Sequence, residues 1–196
     1  MRRRGQQSSI VSPCLRPVWN YTMEGHMASL EALQAGMVRR SAVQAEHQQL
    51  KYFEGNWTHK STAWLGPNAT MEGHGRTTVV PIHEGRYYQL THEGDIGGQR
   101  FSSQGVLGYD NLRKQFVATS TDSMSTNLWV GRGTYDPSKN AYTFLGETPN
   151  VTREDGATLN VRQVRRIVDN DHYVFEWYET HGDKEVKTLQ IEFTRA

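Results

Sequence analysis

From Trp57 to Arg195, apolar and aromatic residues come in runs of six to ten. Turn-forming clusters separate them: Gly66-Pro67-Asn68, His83-Glu84-Gly85, Gly94 to Gly98, Asp110-Asn111, Asp136-Pro137, Asp155-Gly156, Asp169-Asn170 and Gly182-Asp183. No long helical period interrupts the series. This cadence predicts an all-β meander that closes into a barrel or sandwich. Ten strands are expected, at about 57–65, 74–81, 86–93, 99–108, 114–121, 126–134, 141–147, 157–167, 172–180 and 186–194. Short connections pair neighbours antiparallel in chain order. Ten strands enclose more room than a filled eight-stranded core, enough for one small ligand.

Two helical patterns precede the strands. One covers about Ser29–Arg39, with Leu30, Leu33, Met37 and Val38 on one side and Ser29 as cap. The other covers about Ser41–Phe53, with Ala42, Ala45, Leu50 and Phe53 packing inward and Gly55 as the stop. The second is expected to cover one mouth of the barrel.

Side-chain direction follows from alternation. In the last strand Leu189, Ile191 and Phe193 share one face, taken as inward, opposite Thr188, Gln190, Glu192 and Thr194. Gly182-Asp183 suggests an even-length hairpin loop. Leu189 then faces Glu176, and Ile191 faces Val174. Glu176 and Tyr178 point inward, and Tyr173, Phe175 and Trp177 point outward, where a partner subunit or the N-terminal segment must cover them. An odd loop reverses both statements. An inward carboxylate needs a partner or must stay protonated. Arg162 on the preceding strand is the candidate partner, in a functional pair or in one that only pins register.

Composition narrows the classes. The hydrophobic fraction, 36%, suits strands with one wet face. Residues 1–40 carry six Arg and two Glu, the remaining chain 16 Lys and Arg against 19 Asp and Glu. The expected division is therefore a basic extension, 1–40, and a mildly acidic barrel domain, 41–196. An acidic domain argues against nucleic acid as a partner. The one cysteine, Cys14, lies in the extension, so the domain has no disulfide framework and no cysteine metal site. A reducing, cytoplasmic setting is the simplest expectation. No run is long enough to span a membrane. Arg2-Arg3-Arg4 is followed by Gln, Ser and Pro rather than an apolar stretch, so no secretory signal is expected. Gly25-His26-Met27-Ala28-Ser29 has the look of a cloning junction.

Several motifs read more simply as structure. His74, His83 and His92 are spaced by nine, but nine is also the strand-plus-turn period, so three exposed histidines are expected rather than a metal site. His92 shares a face with Tyr88 and Leu90 and is the candidate acid–base group of a cavity. Gly131-Arg132-Gly133 lacks the following Lys-Ser/Thr and helix of a phosphate loop. Ser123 and Ser125 lack a nucleophile elbow. The N-x-T sequons at Asn20, Asn56, Asn68 and Asn150 are chance matches without a signal.

The stretches Glu46-His47-Gln48-Gln49-Leu50, Gly55-Asn56-Trp57, Gly108-Tyr109-Asp110-Asn111, Asp122-Ser123-Met124-Ser125-Thr126, Gly146-Glu147, Val174-Phe175-Glu176 and Ile191-Glu192-Phe193-Thr194-Arg195 occur in order. Through them the chain resembles a family of small bacterial proteins known only as a domain of unknown function and grouped with the calycin (lipocalin-like) barrels. The resemblance covers about 44–196. It implies a single antiparallel calycin-like β-barrel and brings no reaction. Family members often carry an aromatic where this chain has Ser120, a change that enlarges or polarises the cup. Leu50 to Trp57 is more distantly similar to the haem-binding nitrobindin barrels. There the glycines after the Trp are replaced here by Thr58-His59-Lys60, and only His172 and His181 are late enough to serve as haem ligands.

The expected function is binding of a small apolar or aromatic molecule without a cofactor. Tyr88, Trp129 and Tyr178 would form the wall, and Asp122, Arg162 and Glu176 would orient polar groups. The rival expectation is a cofactor-free lyase, hydratase, isomerase or cyclase using His92, Asp122 or Glu176 for proton transfer. A third is a homodimer built on the Tyr173, Phe175 and Trp177 face.

Overall fold

The computed structural model describes residues 29–66 and 68–196. The Arg-rich start, Cys14 and most of the Gly25–Ser29 stretch lie outside them. The described chain divides into two units between Gly36 and Met37. In the described chain α1 (Leu30–Ser41), α2 (Ala45–Gln49) and a 3₁₀ turn (Leu50–Phe53) precede ten strands. These are β1 (Gly55–Gly66), β2 (Ala69–Ile82), β3 (Tyr87–Ile96), β4 (Gln99–Asp110), β5 (Gln115–Asp122), β6 (Trp129–Asp136), β7 (Ala141–Pro149), β8 (Thr158–Ile167), β9 (His172–His181) and β10 (Lys184–Arg195). Every neighbour pair is antiparallel, and β1 pairs with both β2 and β10, so the sheet closes into a barrel.

The expected strands and their order are present, with β2 starting earlier than its apolar run. The second helix is shorter than expected. It breaks at Gln44, whose N–H donates to His47 Nδ1 at 3.1 Å, and tightens into the 3₁₀ turn. Ala45 faces water rather than the core. Leu50 and Phe53 are fully buried, and Phe53 meets the edges of Tyr142 and Tyr173 at 5.6 and 5.1 Å. This α2–3₁₀ segment plugs one end. Tyr52 Oη donates to the carbonyls of Asp169 and His172 at 2.7 and 2.9 Å, and Arg195 donates to the carbonyls of Glu54 and Tyr52. Arg195 also lies 4.1 Å over the Trp57 ring, tying the last strand to the plug. At the same end Asn111 Nδ2 reaches the carbonyls of Arg39, Arg40 and Ala42. Asp110 caps its own turn by accepting the N–H groups of Leu112 and Arg113. The Gly108–Asn111 motif is thus a device for holding the plugged rim.

The inward faces of β9 and β10 differ from expectation. The hairpin loop is even, with His181 opposite Lys184 across Gly182-Asp183. A bulge between Lys187 and Leu189 then inserts one residue, so Leu189 pairs with Trp177 and Ile191 with Phe175. One extra residue reverses the parity and with it every side chain beyond it. Tyr173, Phe175 and Trp177 therefore point into the barrel, with Tyr173 fully buried and stacked on Phe193 at 4.2 Å. The face expected to seek a second subunit is part of the core.

Burial divides the barrel along its axis. Inward residues near the plug, among them Trp57, Val79, Leu107, Phe116 and Tyr142, are almost inaccessible. Inward residues toward the other rim, including Ile96, Phe101, Ser103, Ser120, Trp177 and Ile191, are only half-buried. Water therefore reaches the inner face from that side.

Candidate functional site

Two features meet at mid-height in the barrel. On one wall β1, β2 and β3 aim His59, Thr77 and His92 inward by simple alternation with outward Thr58, Thr78 and Thr91. Thr77 Oγ1 lies 2.6 Å from His92 Nδ1 and 3.1 Å from His59 Nδ1. A hydroxyl donates one hydrogen, so one imidazole accepts from Thr77 and the other donates to it. The three side chains form a short chain along which a proton can shift. Burial, then the charge of Arg165, then His59, hold the His92 pKa down to about 3. Burial likewise lowers the pKa of His59. Both rings are neutral near pH 7.

On the facing wall β8 aims Val161, Gln163 and Arg165 inward. Arg165 is 7% exposed. Its Nε donates to Gln163 Oε1 at 3.2 Å, its guanidinium lies 5.2 Å from the Phe175 ring centre, and its Nη1 has no partner. No carboxylate among the described residues lies within ion-pairing reach of it. Burial pulls its pKa below the ordinary value, opposed by the neighbouring Tyr173. A guanidinium nevertheless stays protonated. Tyr173 Oη is a second buried group without a partner, and burial pushes its pKa up.

Nearer the open rim Trp129 is buried against Trp177, ring centres 4.9 Å apart. Gly131 and Gly146 make this possible. A methyl group on Gly131 would fall 2.2 Å from the indole, and one on Gly146 2.9 Å from Trp129 Nε1. That Nε1–H is also unpartnered. Glu179 stands at the rim, accepting from Trp177 Nε1 at 3.1 Å.

The residues singled out from sequence are distributed unevenly over this site. His92 and Trp129 face the interior. Tyr88 does so too, but at the plugged end, in the dry core. Asp122 ends β5 at the open rim, where its carboxylate accepts from Met124 N–H at 2.8 Å and Ser125 Oγ at 3.3 Å and so shapes the following loop. Glu176, Arg162 and Tyr178 are corrected: all three stand on the outer face, for the bulge reason given above. Glu176 accepts from Lys187 Nζ at 3.1 Å. Arg162 pairs with Glu185 and lies 3.9 Å over the Tyr178 ring. His74 pairs with Asp95 on the outside, and His83 sits in a turn at φ 50°. Among the described residues no three His, Cys, Asp or Glu come together as a metal site. His172 and His181 occupy opposite rims beside Asp169 and Glu179. Neither reaches the interior, so the ligands expected for haem do not fit that role.

Sequence reasoning missed His59, Thr77, Gln163 and Arg165. Val161, Gln163, Arg165 and Ile167 alternate on one face of β8, and that alternation was the available signal.

Fold and site define a single ten-stranded antiparallel β-barrel, plugged at one end and open to water at the other. The chain belongs to a family of proteins of unknown function (DUF1579), which matches residues 42–195. No curated protein matches it. Among solved structures, Rv2717c from M. tuberculosis is similar at 14% identity and a TM-score of 0.58, over 79% of this chain and 99% of that one. The S-type phycobiliprotein lyase CPES from Guillardia theta follows at 11% identity and a TM-score of 0.49, over 80% of this chain and 95% of that one. A redesigned β barrel matches at 13% and 0.40, over 76% and 95%. The last two are too loose to argue from.

Proposed function

We propose that the open half of the barrel is a cup for one small molecule with an apolar or aromatic body. The observation that supports this is the half-buried state of inward Phe101, Trp177 and Ile191 above a dry, plugged floor. Apolar surface that faces inward yet meets water is stabilised when a ligand replaces the water. The test is titration of the full chain with N-phenyl-1-naphthylamine, a neutral aromatic probe whose fluorescence rises on burial. Trp177→Ala is expected to weaken binding about tenfold or more. Glu176→Ala and Arg162→Ala, on the outer face, are expected to leave it unchanged. A probe that does not bind, or that the outer-face changes weaken as much as Trp177→Ala, would overturn the cup.

The His59–Thr77–His92 chain supports a second reading, proton transfer to or from the occupant without a cofactor. The occupant would exchange a proton with the two-ring unit, and Thr77 would couple His92 to His59. The expected signature is exchange of a ligand C–H proton with D2O, using ligand recovered from the purified protein. Thr77→Val should abolish exchange and preserve binding. Equal exchange in the variant would remove this reading.

A further inference from the structure

The interior holds a full positive charge that the described residues leave uncompensated. Arg165 is 7% exposed, and its one side-chain hydrogen-bond partner among the described residues is the neutral Gln163. Its Nη1 and the nearby Tyr173 Oη are both buried donors with nothing to donate to. Burying a charge without a counter-charge is unfavourable, and each unmet buried donor adds its own desolvation cost. The groups that face Arg165 are neutral: His92, Gln163, Phe175 and Tyr173. A buried guanidinium with a free donor suits an anion.

We propose that the occupant of the cup carries a carboxylate, and that Arg165 with Tyr173 Oη is its binding site. This rests on the cup reading above. The charge count selects the class. One guanidinium balances one negative charge, whereas a phosphate monoester would bring nearly two into the same dry space. The donor geometry agrees, since a planar fork and a phenol suit the two oxygens of a carboxylate. Phe175 beneath the guanidinium, with Trp177 and Trp129 toward the rim, supplies the apolar walls for the remaining body. The ligand class is an aromatic or aliphatic monocarboxylic acid entering headgroup first.

The test pairs acids with their alcohols: benzoate with benzyl alcohol, 1-naphthoate with 1-naphthalenemethanol, and dodecanoate with dodecanol. Each is titrated calorimetrically into the full chain. For at least one size, the acid is expected to bind about tenfold or more tighter than its alcohol. Arg165→Met should erase that preference and leave the alcohol's affinity in place. The same variant should melt higher than the unliganded parent, because a methionine removes an unpaired buried charge at similar volume. A lower melting temperature would mark Arg165 as a structural residue and overturn the proposal. If the variant fails to fold, the acid–alcohol comparison on the parent decides. Acids and alcohols binding alike would overturn the carboxylate site and leave the cup intact. Binding of neither, together with no uptake of N-phenyl-1-naphthylamine, would overturn both.

Discussion

His92 shows how far one side chain can be moved by its surroundings. In water an imidazole titrates near 6.5, while here burial, Arg165 and His59 hold it down to about 3. The unfolded chain therefore binds a proton at this residue between about pH 6.5 and 3 that the folded chain refuses. Stability from His92 is present above pH 6.5 and is lost as pH falls toward 3. The slope from this one group approaches about 1.4 kcal/mol per pH unit. Urea unfolding between pH 4 and 7 should show His92→Leu losing less stability per unit than the parent. Comparing the two cancels the carboxylates, which titrate in both. Identical slopes would mean that His92 titrates normally in the fold. Because an anion beside Arg165 would offset one cause of the depression, a bound carboxylate should also flatten this dependence.

At the scale of elements, the strands were legible and their facing was not. Turn residues such as Asp136-Pro137 and Gly182-Asp183 announce where strands end, because few other residues tolerate those backbones. The bulge at Thr188 announces nothing: no glycine or proline marks it, and its neighbours are ordinary strand residues. Reasoning across an even loop therefore placed Glu176, Arg162 and Tyr178 inside. The apolar alternation of Tyr173, Phe175 and Trp177 within β9 itself carried the correct answer. His92 was legible because Tyr88 and Leu90 precede it at the same parity. His59 and Thr77 were not, since their partnership arises only when β1, β2 and β3 lie side by side. A sharp test follows. Deleting Thr188 removes the extra residue and leaves Leu189 opposite Trp177 in a regular ladder, so the variant should still fold cooperatively with the same inward set. Thr188→Ala should change the denaturation midpoint by less than about 0.5 kcal/mol equivalent. A deletion variant that loses the parent's near-ultraviolet circular dichroism would contradict the assigned register.

Across the whole molecule, one end is built for permanence and the other for exchange. Leu50, Phe53, Trp57, Tyr142 and Tyr173 pack the plugged end, and Tyr52, Asn111 and Arg195 bind it to the rim and the last strand. The opposite rim has half-buried inward side chains and a loop shaped by Asp122, beside an open cleft of about 530 Å³ lined in part by Met124, Asn127 and Val151. The Gly108–Asn111 group serves the plug, and the Asp122–Thr126 group shapes the mouth. The proposed occupant would enter at the open rim and meet the plugged end only at Tyr173.

The seam between β1 and β10 carries a kinetic consequence. It pairs Trp57 with Arg195 and Ala63 with Leu189, residues more than a hundred positions apart. All other ladders join strands that are adjacent in sequence and can zip locally. Until β10 exists and arrives, β1 offers an unpaired edge and the aromatic core stands open. Closing so distant a contact is slow relative to forming a hairpin. The rate-limiting step of folding is then arrival of the final strand, and the species that waits for it is the one most exposed to edge-to-edge aggregation.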